Sequence, residues 1–283
     1  MYSKKWKLII SLLLILSAVW LPLFNLNADV PTLLTIFSLL FAILVGFFIA
    51  TSTTNYLRLQ TLIAEEDASL IAIFSSFRNI VPKNTEIIAD AIDNYAIAAL
   101  SFELTEYVNK THFEFGNLVR VVDEVNFVDD KGRELIGFLH DKKNSLYQTR
   151  QEIALVARRI VTPDHWLVVT SLAVLIGFLI LTLRDGGLLS AFLSGILLAT
   201  NYLILTLLYE VDNNKFLEQA LSYQNSQQIF QVIGRPSYYV EDVIKNGRVE
   251  TPKKNYRTGY YKNFDDKDIR LVEWNKLSKD LDL

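Results

Sequence analysis

The sequence contains no cysteine. That excludes disulfides, thiolate metal sites, iron–sulfur ligation and a cysteine nucleophile. Charge of one sign is also missing: 28 Lys+Arg stand against 31 Asp+Glu, a net charge of -3. No basic footprint for DNA or RNA follows from such a balance, so no nucleic-acid partner is expected. Of the three histidines, His112, His140 and His165, none has the His-Glu-x-x-His spacing of a metal site. There is no glycine-rich phosphate loop, because Gly186-Gly187 lies in a hairpin turn, and no Gly-x-Ser-x-Gly elbow. An enzyme is therefore not expected, nor a cofactor or a bound metal. No repeat and no low-complexity tract is visible.

What the chain does have is hydrophobic residues, 51% of the total, and they are concentrated. Four runs carry no charged residue: 8–24 (LIISLLLILSAVWLPLF), 33–50 (LLTIFSLLFAILVGFFIA), 166–183 (WLVVTSLAVLIGFLILTL) and 188–209 (LLSAFLSGILLATNYLILTLLY). A helix needs about 20 largely apolar residues to cross a hydrocarbon core, and there the backbone must bond to itself, which dictates helices. A basic start at Lys4, Lys5 and Lys7 gives the first run a signal-peptide look, but no small-x-small cleavage site follows, so it is expected to be retained. Only 25–32 separate the first two runs and only RDGG (184–187) the last two. The chain is thus expected to form two transmembrane hairpins, four spans at about 8–27, 32–51, 166–183 and 188–209. The N-terminus, the long central segment and the tail then share one side. That side carries Lys4, Lys5, Lys7, Arg58, Arg150, Arg158, Arg159 and Lys215 near the bilayer, whereas the turns carry only Arg184. The positive-inside bias predicts that both termini and the central segment are cytoplasmic.

Residues 55–81 carry a helical stripe of Leu59, Leu62, Ile63, Leu70, Ile73, Phe74 and Phe77. With no breaker after the second span, that helix is expected to run on to about Val81 and stop at Pro82. Asn84 is placed to cap a following helix ending near Lys110. Asp129 to Gly132 reads as a turn, after which Leu135, Phe138, Leu139, Leu146, Ile153, Val156 and Ala157 resume the stripe. Thr162 with Asp164 can cap the third span. In the tail, 210–232 can continue the fourth helix, Gly234-Arg235-Pro236 breaks it, and Asn246-Gly247 between Val243-Ile244 and Val249 suggests a tight hairpin. The expected class is an all-α integral membrane protein whose long helices extend into a cytoplasmic bundle, with a small mixed tail. The segments are 1–54 and 165–210 (the hairpins), 55–164 (the bundle) and 211–283 (the tail).

Several positions resemble a known pattern. Gly46-Phe47 is followed by Asn55, then by Glu65-Glu66-Asp67-Ala68-Ser69-Leu70. Tyr95 precedes Glu103, Arg150 and Arg158 lead to Pro163 and Trp166, and YEVDNNKF spans 209–216, with Asn213-Asn214 where the pattern has a proline. Over roughly 8–220 the chain resembles the bestrophin-like domain family of bacterial membrane proteins. The resemblance implies an oligomeric channel for small anions, as bestrophins are pentameric anion channels with both termini inside.

The residues offer sites for such an activity. In the second span Phe37, Phe41 and Phe48 fall on one face, followed by the polar belt from Thr51 to Asn55; in a homo-oligomer these would make an apolar neck and a hydroxyl-rich mouth. Glu65, Glu66, Arg150 and Arg158 are candidates for a charged vestibule, or for ion pairs across the bundle. Asn201 is the clearest polar residue within a span and suits interhelical packing. No Asp, Glu, Lys or Arg lies inside a span, which argues against a proton pump or voltage sensor. The alternative function is a non-conducting scaffold or sensor that binds a cytoplasmic partner through the bundle and the tail.

Overall fold

The structure, a computed structural model, describes residues 4–20, 29–80, 82–104, 106–124, 130–158, 161–212, 222–245, 249 and 252–274. They form two compact units: 1–54 with 159–215, and 55–158 with 216–283.

The first unit is helical. It contains α1 (Lys4–Trp20), the N-terminal part of α2 (Val30–Ile80), α7 (Pro163–Thr182) and α8 (Leu188–Asp212). Three of these, α2, α7 and α8, are long and apolar enough to cross a membrane, whereas the described apolar part of α1, Trp6–Ala18, is shorter. The end of the expected first run, 21–24, lies outside the described residues. Thr162 caps α7 by accepting from the His165 N–H, as its position before Pro163 suggested. In the α7–α8 turn the Asp185 carboxylate accepts from the Gly187 N–H at 2.9 Å, and Gly186 takes φ +85°, a left-handed conformation that glycine tolerates without cost. Asn201 Nδ2 donates to the Ala173 carbonyl at 2.8 Å and ties α8 to α7. The α1–α8 crossing is closer still: a Cβ on Gly195 would lie 2.8 Å from Ile15 Cα. The core of this unit gathers Phe41, Val45 and Phe48 with Val169, Ala173, Ile176 and Ile180 of α7 and Leu208 of α8.

The second unit is built on the C-terminal part of α2, and all seven residues of its expected stripe are buried. The helix ends at Ile80 and Pro82 opens a short 3-10 turn, Pro82–Asn84. Then follow α3 (Thr85–Ser101), α4 (Tyr107–Lys110), α5 (His112–Asp123) and α6 (Asp130–Val156). Three expectations are corrected. Asn84 occupies the N-cap position but its side chain makes no capping bond. The helix expected to reach Lys110 stops at Ser101, where Phe102 is extended (φ -114°, ψ 151°), and this break lets Tyr107 turn back into the core. Asp130 to Gly132 belong to α6 rather than to a turn.

The tail joins this unit. Helix α9 (Ser222–Val232) ends as Gly234-Arg235-Pro236 foretold: Gly234 takes φ +73°, and the Arg235 N–H bonds the Phe230 carbonyl at 2.8 Å. Next come β1 (Ser237–Val240), α10 (Glu241–Lys245), β2 (Tyr256–Tyr261) and β3 (Lys267–Val272). They form a sheet ordered β1-β2-β3, with β1 parallel and β3 antiparallel to β2. The expected hairpin at Asn246-Gly247 is also corrected. Val243 and Ile244 are helical, 246–248 lie outside the described residues, and the hairpin is β2–β3 instead. Its turn is held by Asn263 Oδ1, which accepts from the N–H groups of Asp265 and Asp266. Arg257 clamps Asp93 of α3 with two bonds of 2.7 and 2.6 Å, and the Gln227 side chain bonds both backbone groups of Tyr238. Ile229, Phe230, Tyr238 and Tyr261 lie in the same core as the α2 stripe.

Candidate functional site

Two places in the chain concentrate the residues the sequence singled out, one in each unit. The first is α2 within residues 30–54. Phe41 and Phe48 are 7% and 5% exposed and pack on α7 and α8 of the same chain; Phe37 packs against the same cluster. These rings therefore face inward. The opposite side of the helix presents Leu39, Ile43 and Phe47, exposed to 61%, 60% and 62%. They are spaced by four, so they form one row. The Thr51 hydroxyl is spent on the Phe47 carbonyl at 2.9 Å. Asn55, half-buried, already belongs to the second unit. Near the α7 start, Asp212 accepts from the Val161 N–H at 3.0 Å and from Trp166 Nε1 at 3.3 Å. This is the acidic position of the YEVDNNKF segment; 213–216 lie outside the described residues.

The second place is a buried polar network in the other unit. Glu65 and Glu66 are neighbours in sequence but point apart: Glu65 is exposed and Glu66 is buried. The position of Glu66 follows the stripe Leu59, Leu62, Ile63, Leu70, so helical periodicity itself drives its carboxyl into the core. A buried carboxylate needs donors. Tyr95 of α3 and Tyr107 of α4 both donate to Glu66 Oε1. Arg150 of α6, also buried, donates through Nη1 to the Tyr95 oxygen at 2.5 Å and to Thr111 Oγ1 at 2.9 Å, and through Nη2 to the Val108 carbonyl at 3.2 Å. Its guanidinium carbon lies 4.1 Å from the Phe115 ring centre, with Tyr107 and Tyr95 at 5.0 and 5.2 Å. Thus Glu66 and Arg150 come together, with a tyrosine hydroxyl between them. Arg158 is exposed and is not brought into this group.

Burial pushes the Glu66 carboxyl up, and the hydroxyls of Tyr107 and Tyr95 and the charge of Arg150 oppose that. Burial and the adjacent Glu66 hold both tyrosines well above their usual range, so they stay protonated and donate. Burial disfavours the Arg150 charge, but Tyr95, Tyr107 and Glu66 outweigh it and keep the guanidinium protonated. The result is a locked polar junction of α2, α3, α4 and α6. Among the described residues no three His, Asp or Glu converge as metal ligands would. Glu103, paired with Tyr95 in the sequence reading, is exposed and outside the junction. Sequence reasoning missed Tyr107, Thr111 and the outward row of α2. The phase of Glu66 on an apolar stripe was the signal available for the junction.

The bestrophin-like domain family model matches residues 10–215. The chain belongs to the bestrophin-like domain family. Two crystal structures of a bacterial bestrophin homologue from Klebsiella pneumoniae, one of them a point variant, share its fold. The variant has a TM-score of 0.61 at 12% identity and the other 0.60 at 13%, each covering 81% of this chain and 98% of that one. A further crystal structure, described as a membrane protein, matches with a TM-score of 0.60 at 13% identity over 81% of this chain and 98% of its own. Identity at this level carries the fold alone. No curated protein matches the sequence. As a member of a bestrophin-like family, the chain is a helical membrane protein, with membrane-protein structures as its neighbours.

Proposed function

We propose that this bestrophin-like protein is an oligomeric channel for small anions, with α2 lining the conduit. It is a four-span protein of the bacterial inner membrane with both termini, the bundle and the tail in the cytoplasm. The observation that carries the reading is the row Leu39, Ile43 and Phe47, exposed alike on a helix whose other side is packed. Copies of α2 around a symmetry axis would stack this row into apolar rings, which gate by expelling water. The neck thereby moves by one helix face from Phe37, Phe41 and Phe48, because those rings are occupied within the chain. The vestibule role falls to the exposed Glu65 and Arg158, since Glu66 and Arg150 are consumed by the buried junction. The family's known members are anion channels rather than enzymes, which agrees with this assignment. A scaffold reading loses its free arm, because the tail supplies Ile229, Phe230 and Tyr238 to the core.

The test is flux of chloride, nitrate, sodium and potassium in liposomes carrying the purified protein. Flux of anions that rises in Phe47→Ala and Ile43→Ala is the expected result. Absence of flux in both variants, with the protein correctly inserted, would favour the scaffold, and cation flux would overturn the selectivity.

A further inference from the structure

A cavity of about 40 Å³ lies beside the buried junction in the second unit. One water needs roughly 10–15 Å³, so the space holds more than one. Its walls are mostly aliphatic, among them Ile63 and Leu70 of α2, Leu100 of α3, Ile153 of α6 and Ile229 of α9. Its polar atoms belong to Glu66, Asp67, Tyr95, Tyr107 and Ser226.

Asp67 is the member of this set that the junction does not use. It is buried, and Ser226 Oγ of α9 donates to its Oδ2 at 3.2 Å. The groups that face it can be named element by element. On α2 itself there is Glu66; on α3 and α4 there are Tyr95 and Tyr107, both donating to Glu66. On α6 there is Arg150, whose donors go to Tyr95, Thr111 and Val108. On α9 there is Ser226, in a helix without a single charged residue between Ser222 and Val232. Among the described residues, no lysine, arginine or histidine lines the cavity. Among the described residues that line the cavity, the other carboxyl is that of Glu66. Burial and then Glu66 raise the Asp67 pKa to about 8, which the Ser226 hydrogen bond only partly opposes.

We propose that Asp67 and Ser226 form a protonation-controlled latch that seats α9, and with it the C-terminal sheet, against α2. With Asp67 neutral, its carboxyl accepts the Ser226 hydroxyl in an otherwise apolar contact. When Asp67 gives its proton to water, the carboxylate stands beside Glu66, and none of the described residues lining the cavity is a cation that could pair it. Hydration is the cheapest relief, and the cavity admits the water that loosens α9. Because Gln227 of α9 holds both backbone groups of Tyr238, the loosening passes on to β1.

Hydrogen–deuterium exchange of the full chain in detergent, from pH 6 to 9.5 and corrected for intrinsic exchange, tests this. In the wild type, protection of the 222–232 peptide is expected to fall roughly tenfold through a transition near pH 8. Asp67→Asn, which imitates the neutral form, is expected to keep high protection throughout. Ser226→Ala is expected to lower protection on the acid side. Glu65→Gln, at the exposed neighbouring position, is expected to keep the transition. Protection that does not vary with pH in the wild type would overturn the latch, and so would a transition that persists in Asp67→Asn.

Discussion

Removal of the Arg150 guanidinium leaves Glu66 buried behind two tyrosine hydroxyls, without the cation relayed through Tyr95. Arg150 donates to Tyr95, Thr111 and Val108, and a buried group left without its hydrogen-bond partner costs about 1–3 kcal/mol. Arg150→Met is therefore expected to lower the thermal midpoint in detergent sharply. Arg150→Lys is expected to recover little, because an ammonium cannot serve Tyr95, Thr111 and Val108 at once in the guanidinium's planar geometry. Asp67 sets a pH dependence of stability. Its carboxyl pKa is raised on folding to about 8, from an ordinary 3.8. The folded chain therefore holds the proton more tightly than the unfolded one, and the stabilisation is complete below pH 4 and is lost as the pH rises through 8. Thermal midpoints of the wild type are expected to decline over that window, and those of Asp67→Asn to decline less. An increase in wild-type stability from pH 5 to 8 would contradict the assignment.

Helix α2 shows how one element divides its labour. Its inward rings serve packing and its outward row is exposed, so Phe41→Ala and Phe47→Ala should separate. Phe41→Ala empties space in the cluster it shares with α7 and α8 and is expected to cost about 3–5 kcal/mol. Phe47→Ala, at an exposed position, is expected to leave the thermal midpoint near wild type. The α1–α8 pair depends on Gly195, where a Cβ would meet Ile15 backbone. Gly195→Val is expected to push the two helices apart and lower yield and midpoint in detergent, since close backbone approach is what small residues supply between apolar helices. At this scale the sequence was a good guide where a single period governed. The α2 stripe, the Pro82 stop, the Thr162 cap and the Gly234 ending were all legible. The β2–β3 hairpin was not, because its five-residue turn has no Asn-Gly or Asp-Gly signal and is closed by the Asn263 side chain.

At the scale of the molecule, the tail belongs to the core of the second unit. Deleting 225–283 removes Ile229, Phe230, Tyr238 and Tyr261 from it. The truncated protein is expected to insert into membranes but to lose the folded bundle, seen as rapid proteolysis of 55–158. Absence of cysteine makes the orientation directly measurable, since any introduced thiol is unique. Asp29→Cys is expected to react with an impermeant maleimide in intact cells, and Glu65→Cys only after permeabilisation.

Apolar runs without charge, their pairing by short turns and the excess of Lys and Arg on one side are properties of composition along the chain, and the sequence alone determined a helical membrane protein from them. The periodicity of 3.6 likewise placed Glu66 and the α2 stripe on one face. Which side of α2 faces a neighbour was decided only by tertiary structure, because Phe41 and Phe47 are chemically alike and differ in what is packed against them. The joining of Glu66 to Arg150 through Tyr95, and of Asp67 to Ser226, also waited for the fold. These partners lie far apart in sequence, and the demand of a buried polar group for a partner is met in space, not along the chain.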